Sequence, residues 1–259
     1  MVNKILLINT MVLTKISTNL FDDHTLLDSN LMQNHFTFIS YSDGVDKIMT
    51  GKIDKPYMTV SFDDGIKSCR VAGDILTKLG IQACFFVCTD IVGEKDPGRL
   101  AQFYQKLDYG PVELLSWQDI EDLLKGGHEI GSHTRTHQNI AQLGFEQRKD
   151  EILGSFEDLS RKIGSVSHFA WPFGRYFHFD HQAAKLVFES GYKSCVSGER
   201  GCYIAKNLID PALIHRDLIL PGWPMDHVYY FLARNLKKAI RLARVDSSRK
   251  KLANNSGNS

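Results

Sequence analysis

The chain carries almost no net charge. Against 30 Asp and Glu stand 31 Lys and Arg, a formal charge of +1 over 259 residues. No global field therefore draws it to nucleic acid or to an acidic polymer. Cysteine is scarce and unpaired in pattern. Cys69, Cys84, Cys88, Cys195 and Cys202 form no Cys-x-x-Cys pair, which argues against a zinc ribbon or a thioredoxin-type site. They read as buried thiols in a reducing compartment. No run reaches the ~18 apolar residues that a membrane-spanning helix needs. The opening stretch MVNKILLINTMVLTKISTNLF is interrupted at Asn9, Thr10, Lys15 and Ser17 and has no small-residue cleavage site. A secretory signal is not expected, and the location expected is cytoplasmic. Repeats and low-complexity blocks are missing before the C-terminus. What remains is a composition of 43% hydrophobic and 24% charged residues, that of a globular chain with a sizeable core.

Strand and helix signals alternate from Tyr57 onward. YMTVSF (57–62) predicts a strand. Ser68 to Leu79 predicts a helix with Val71, Ile75, Leu76 and Leu79 on one face and Gly80 as its stop. IQACFFVC (81–88) predicts a buried strand. Ser116 caps a helix over 117–125, with Asp119 completing a capping box and Gly126-Gly127 ending it. HEIGSH predicts a strand, 145–163 a helix with Ile152, Phe156 and Leu159 inward, and HFAWPFG a strand closed by proline. A helix over 180–190 and strands YKSCVSG and LIHRDLIL follow. His35 to Tyr41 reads as a short strand, and the rest of 1–50 has no clear pattern. The alternation implies an α/β fold with a mainly parallel sheet, open or barrel-like. Sites in such folds gather at the carboxyl ends of the strands. The division expected is an N-terminal extension packed on the barrel (1–55), a barrel domain (56–222) and a basic C-terminal helix with a tail (223–259). Residues 234–251 hold eight Lys or Arg and one acid.

The chemistry concentrates in two places. MTVSFDDG (58–65) ends a strand in two adjacent acids, Asp63 and Asp64, which repel each other and are costly to bury. GSHTRTH places His133 and His137 four apart in a loop after a strand. Two imidazoles and a carboxylate suit zinc or a similar divalent ion, so Asp64, His133 and His137 form a candidate ligand set with a position left for water. A metal relieves the repulsion within the pair. The second acid, Asp63, is then free to act as base toward a water whose pKa falls from ~15.7 towards ~7.

These residues, in this order, resemble the polysaccharide deacetylase family, carbohydrate esterase family 4, which carries the chitooligosaccharide deacetylase homology domain. SFDDG resembles its first motif, SHTRTH its second, FAWPFGRY its third and LIH (213–215) its last. The resemblance spans about Pro56 to Leu220. It implies a distorted (β/α) barrel of about seven mainly parallel strands. It further implies Asp63 as general base, and Asp64, His133 and His137 as ligands of a divalent metal, with zinc the metal of choice. Thr134 would steady the metal loop, the Phe173 N–H would hold the oxyanion, and His215 would protonate the leaving amine. Three departures stand out. Ser61 replaces the usual threonine. Ala170 stands where many members carry the arginine that orients the base, so Asp63 must be held differently. The acid and tryptophan of the fourth motif are missing; GYKSCVSGERGCY offers Glu199 and no tryptophan. Arg216, next to His215, is the alternative side chain to reach the site.

The resemblance implies an N-acylated amino sugar substrate, acetylated or formylated, and with it carbohydrate metabolism. Without a signal, the form expected is a nucleotide-linked, lipid-linked or oligosaccharide precursor in polysaccharide biosynthesis at the cytoplasmic side. Residues 227–251 read as a basic amphipathic helix, either lying peripherally on the inner face of a membrane or packed on the domain. Two other readings are a deacylase of a non-sugar amide or imide, and a non-catalytic glycan-binding protein on a decayed fold.

Overall fold

The structure, a computed structural model, describes residues 4–10, 36–107, 110–204, 214–219, 223–224, 226–231, 233–234 and 237. The strands are β1 (Lys4–Thr10), β2 (Thr37–Phe38), β3 (Tyr57–Phe62), β4 (Ala83–Val87), β5 (Glu129–Ser132), β6 (His168–Ala170), β7 (Ser194–Val196), β8 (Tyr203–Ile204) and β9 (Asp217–Ile219). They form one sheet in the order β7-β6-β5-β4-β3-β1-β8, with β2 also on β3 and β9 also on β1. All pairings are parallel except that of β1 with β8. The sheet curls. Val196 at the end of β7 bridges Ile214, and the chain runs from there into β9, which pairs with β1. The mainly parallel sheet is the one expected from the alternation, and its curl is that of the (β/α) barrel implied by the resemblance. β1 lies inside the sheet between β3 and β9, so part of the N-terminal fifty residues is barrel strand.

Strand periodicity sorts the side chains into two clusters. Val60 and Phe62 of β3, Ala83, Phe85 and Val87 of β4 and Phe169 of β6 face outward, under the helices. Tyr57 of β3, Cys84 and Phe86 of β4 and Ala170 of β6 face inward. By the same alternation Ser61 and then Asp63 belong to the inner face of β3. That is why the first acid of the pair sits in the barrel mouth.

The helices are α1 (Tyr41–Thr50), α2 (Ser68–Lys78), α3 (Pro97–Tyr104), α4 (Trp117–Lys125), α5 (Phe145–Lys149), α6 (Ser155–Ile163) and α7 (His181–Glu189). α4 has the expected capping box between Ser116 and Asp119. In α2 the buried face is Cys69, Ala72, Gly73 and Leu76, while Val71 is exposed. Gly73 sets that rotation, because a Cβ there would stand 2.2 Å from Leu123. The helix expected over 145–163 is broken by a π-turn at Asp150–Gly154, between α5 and α6. α1 and α3 carry no counterpart in the sequence reading. Most of 227–251 lies outside the described residues, as do 1–3 and 11–35.

Candidate metal and catalytic centre

The Asp pair follows β3 in a tight turn, with Asp64 at φ 73° and Gly65 at φ 72°. Among the described residues four non-glycine positions have positive φ: Asp64, Thr134, His137 and Phe173. All four belong to the motifs singled out above. Such conformations are unfavourable for residues with a Cβ and persist where surroundings enforce them.

The enforcing contacts are visible. His133 continues β5, its N–H bonding Val87 O. Its Nδ1 lies 2.8 Å from Ala170 O. A carbonyl only accepts, so Nδ1 carries the proton and Nε2 presents a lone pair. Thr134 Oγ1 accepts the His137 N–H at 3.1 Å. Glu151, buried on the π-turn, accepts the Arg135 and Thr136 N–H groups at 2.9 Å each and the Thr136 hydroxyl as well. Arg135 spreads over Asp90, Asp150 and Asp158. The π-turn thus supplies the acid that shapes the His133–His137 loop.

The loop brings His133 Nε2 to 3.3 Å and His137 Nε2 to 3.2 Å from Asp64 Oδ1, all three residues buried. Two atoms each ~2.1 Å from one ion at a tetrahedral angle stand roughly 3.4 Å apart. The donor set and its spacing fit a divalent metal. Burial alone would raise the Asp64 carboxyl, but the hydrogen bonds and charges of the two imidazoles outweigh it and hold it well below the usual range. Burial lowers His133, and the Asp63 and Asp64 charges more than restore it.

Asp63 is held by Arg216. Nη1 donates to Oδ1 at 3.0 Å and Nη2 to Oδ2 at 2.9 Å. The guanidinium is 1% exposed, also donates to Ser61 Oγ and Ser197 O, and lies over the Phe86 ring. Ala170, the departure from the arginine that many members of the resembled family carry there, is fully buried in the inner cluster. The orienting cation comes instead from the segment leading into β9. Burial disfavours the Arg216 charge, and Asp63 restores it, so the guanidinium stays charged.

A cleft of about 260 Å³ opens over these groups. Its lining includes Asp63, Asp64, His133, His137, Trp171, Phe173 and Arg216, together with Lys106 and Arg175. Phe173 packs its ring on His137 at 4.9 Å. Behind it the two loops touch backbone to backbone, Gly198 N–H to Gly174 O at 2.9 Å, and a Cβ on Gly174 would stand 2.5 Å from Gly198 N. The proposed metal ligands, base and Phe173 are therefore brought together. His215 is not part of the lining. Its Nε2 bonds Tyr176 Oη, and its N–H donates to Tyr203 Oη. Glu199 pairs with Arg175 at 3.3 Å. Glu151, Lys106 and Arg175 were not singled out from the sequence. Lone acids and cations in helical or loop context carry no distinguishing pattern.

Comparison with known proteins agrees with this geometry. The family profile described as Polysaccharide deacetylase matches residues 50–194. The deacetylase PplD of Streptococcus pyogenes, solved with acetate, is similar in structure with a TM-score of 0.68 and 17% identity, over 89% of this chain and 99% of that one. IcaB from Ammonifex degensii gives 0.62 and 17%, covering 84% and 92%. The BpsB deacetylase domain from Bordetella bronchiseptica gives 0.66 and 14%, covering 84% and 96%. Comparison with curated proteins yields no match.

Proposed function

The chain belongs to the polysaccharide deacetylase family, and we propose that it is a metal-dependent hydrolase of the N-acyl group of an amino sugar. The observation that carries this reading is the Asp63–Arg216 fork set beside the Asp64, His133 and His137 donors. A divalent ion held by those three residues, zinc by their chemistry, would polarise the acyl carbonyl and acidify water. Asp63, oriented by Arg216, takes the proton of the attacking water. The Phe173 N–H, fixed by its positive φ, donates to the developing oxyanion. His215, bonded to Tyr176 beside Arg175, is the proposed donor to the leaving amine. The substrate proposed is a biosynthetic precursor on the cytoplasmic side; five buried cysteines are compatible with that setting.

The test is acetate and formate release from free, nucleotide-linked and lipid-linked N-acyl amino sugars. Wild type, Asp63→Asn and chelated protein would be compared. Release by wild type alone supports the reading. Bound metal without release from any of them would favour a glycan-binding role.

A further inference from the structure

The cleft holds more positive charge than the reaction uses. Its acids are Asp63 and Asp64, and its cations are Lys106, Arg175 and Arg216. Arg216 is matched to Asp63, and Asp64 belongs with the two histidines. Lys106 remains without an acid in the lining, and Arg175 pairs through Nη1 alone with Glu199, which is not part of the lining.

Their placement follows from the sheet order. The metal loop extends from β5, and β4 and β6 flank β5. Lys106 lies on the segment after β4 and α3, Arg175 in the turn after β6. The two cations therefore belong to segments that flank the His133–His137 loop, and both line the same cleft.

Lys106 is half-buried, and its Nζ donates to Thr136 O at 2.7 Å. Among the described residues it makes no ion pair. Glu151, the acid whose charge reaches it, already accepts from Arg135 and Thr136. An ammonium has three donors, and a desolvated one is unfavourable until an anion joins it. That desolvation lowers its pKa. Arg175 contacts Glu199 through Nη1, keeps about half its side chain exposed and takes part in the cleft lining. Its fork suits a phosphate, and a lysine supplies the accompanying point charge.

We propose that the cleft selects an amino sugar bearing a phosphate or diphosphate ester, which Lys106 and Arg175 bind on either side of the metal donors. This rests on the hydrolase reading above and narrows its substrate. The shared chemistry is the phosphoryl group, whether its source is a sugar phosphate, a nucleotide or a lipid carrier.

Binding and turnover separate the two claims. Calorimetry on metal-loaded wild type would compare glucosamine 1-phosphate with glucosamine, neither of which can be deacylated. One charge-assisted contact gives about tenfold or more in affinity, so the phosphorylated sugar should bind at least that much tighter, less so at high salt. Lys106→Gln and Arg175→Gln should each remove most of this ratio, and Lys106→Arg should keep it. A purely structural loss would weaken both sugars alike and leave the ratio intact. Acetate release would then be measured from N-acetylglucosamine 1-phosphate, its nucleotide diphosphate, a short polyprenyl diphosphate and a neutral oligosaccharide. A preference among the first three identifies the source. Equal binding of charged and neutral sugars, or an unchanged ratio in both glutamine variants, overturns the proposal. Preference in binding without turnover keeps it and removes the hydrolase reading; turnover of the neutral oligosaccharide without preference does the reverse.

Discussion

Arg216 and Asp63 form a two-point fork, Nη1 to Oδ1 at 3.0 Å and Nη2 to Oδ2 at 2.9 Å, across 153 residues of sequence. The planar guanidinium fixes both carboxylate oxygens, which a lysine cannot do. Arg216→Lys should lower kcat by roughly 10–100-fold, since a base displaced by about 1 Å loses that much. Arg216→Met should in addition cost about 3–5 kcal/mol of stability, because it leaves a largely buried carboxylate without its cation. Acetate release and denaturant melts measure the two effects. Full activity in Arg216→Lys would show that Asp63 is oriented by something else.

Glu151 shapes the His133–His137 loop, which carries two of the proposed metal ligands, through Arg135 and Thr136. It accepts the N–H groups of Arg135 and Thr136, and Thr134 accepts that of His137. Partners of this kind typically contribute 10–100-fold in metal affinity. Glu151→Gln should weaken zinc binding by about that factor in a competitive chelator titration. Wild type should also melt higher with zinc than after chelation, by about 2.7 kcal/mol at a metal concentration 100 times Kd. Equal metal affinity in Glu151→Gln would reduce Glu151 to a loop anchor.

The barrel and the cluster of Asp64, His133 and His137 were legible because their signals are local. SFDDG and SHTRTH each sit at a strand end, and period-two and helical patterns mark most of the elements between them. What escaped depends on distant packing. Arg216 stood only as the alternative to His215; its pairing with Asp63 arises because β9 lies beside β1, and β1 beside β3, an adjacency that no local pattern in the sequence reports. The π-turn at Asp150–Gly154 is likewise silent, since one wide turn hardly alters the apolar spacing of 145–163. Val71 was placed on the inner face of its helix, but the close approach of Gly73 to Leu123 turns it to solvent.

His215 stands beside the cleft rather than in its lining, bonded to the Tyr176 hydroxyl. If it is the acid for the leaving amine, His215→Ala should cut kcat by roughly 10²–10⁴-fold with little change in KM. Tyr176→Phe should have a smaller effect, since it removes only an orienting bond. A steady-state comparison on one acylated sugar suffices. Unchanged kcat in His215→Ala would move the proton donor to another group.

Glu129 ties α1 to the foot of the barrel. Its carboxylate accepts the Ser42 N–H at 3.1 Å and the Ser42 hydroxyl at 2.6 Å, and His168 Nε2 lies 3.4 Å away. Burial raises the Glu129 carboxyl, while His168 and Ser42 outweigh burial and leave it below its ordinary value. The folded state therefore favours the ionised form. That contribution is fully present above the unfolded value of about 4.3 and is lost as pH falls through the lower folded value. Glu129→Gln cannot ionise, and it also weakens the hold on the N-terminus of α1. The variant should be less stable than wild type by about 1.5–3 kcal/mol at pH 7, the range for hydrogen bonds to a charged group. The gap should narrow below about pH 4 as the wild-type carboxyl takes up its proton. Denaturant midpoints from pH 7 to pH 3 would trace it. A constant gap across that range would mean that the carboxylate's charge contributes nothing and that only its shape holds α1 in place.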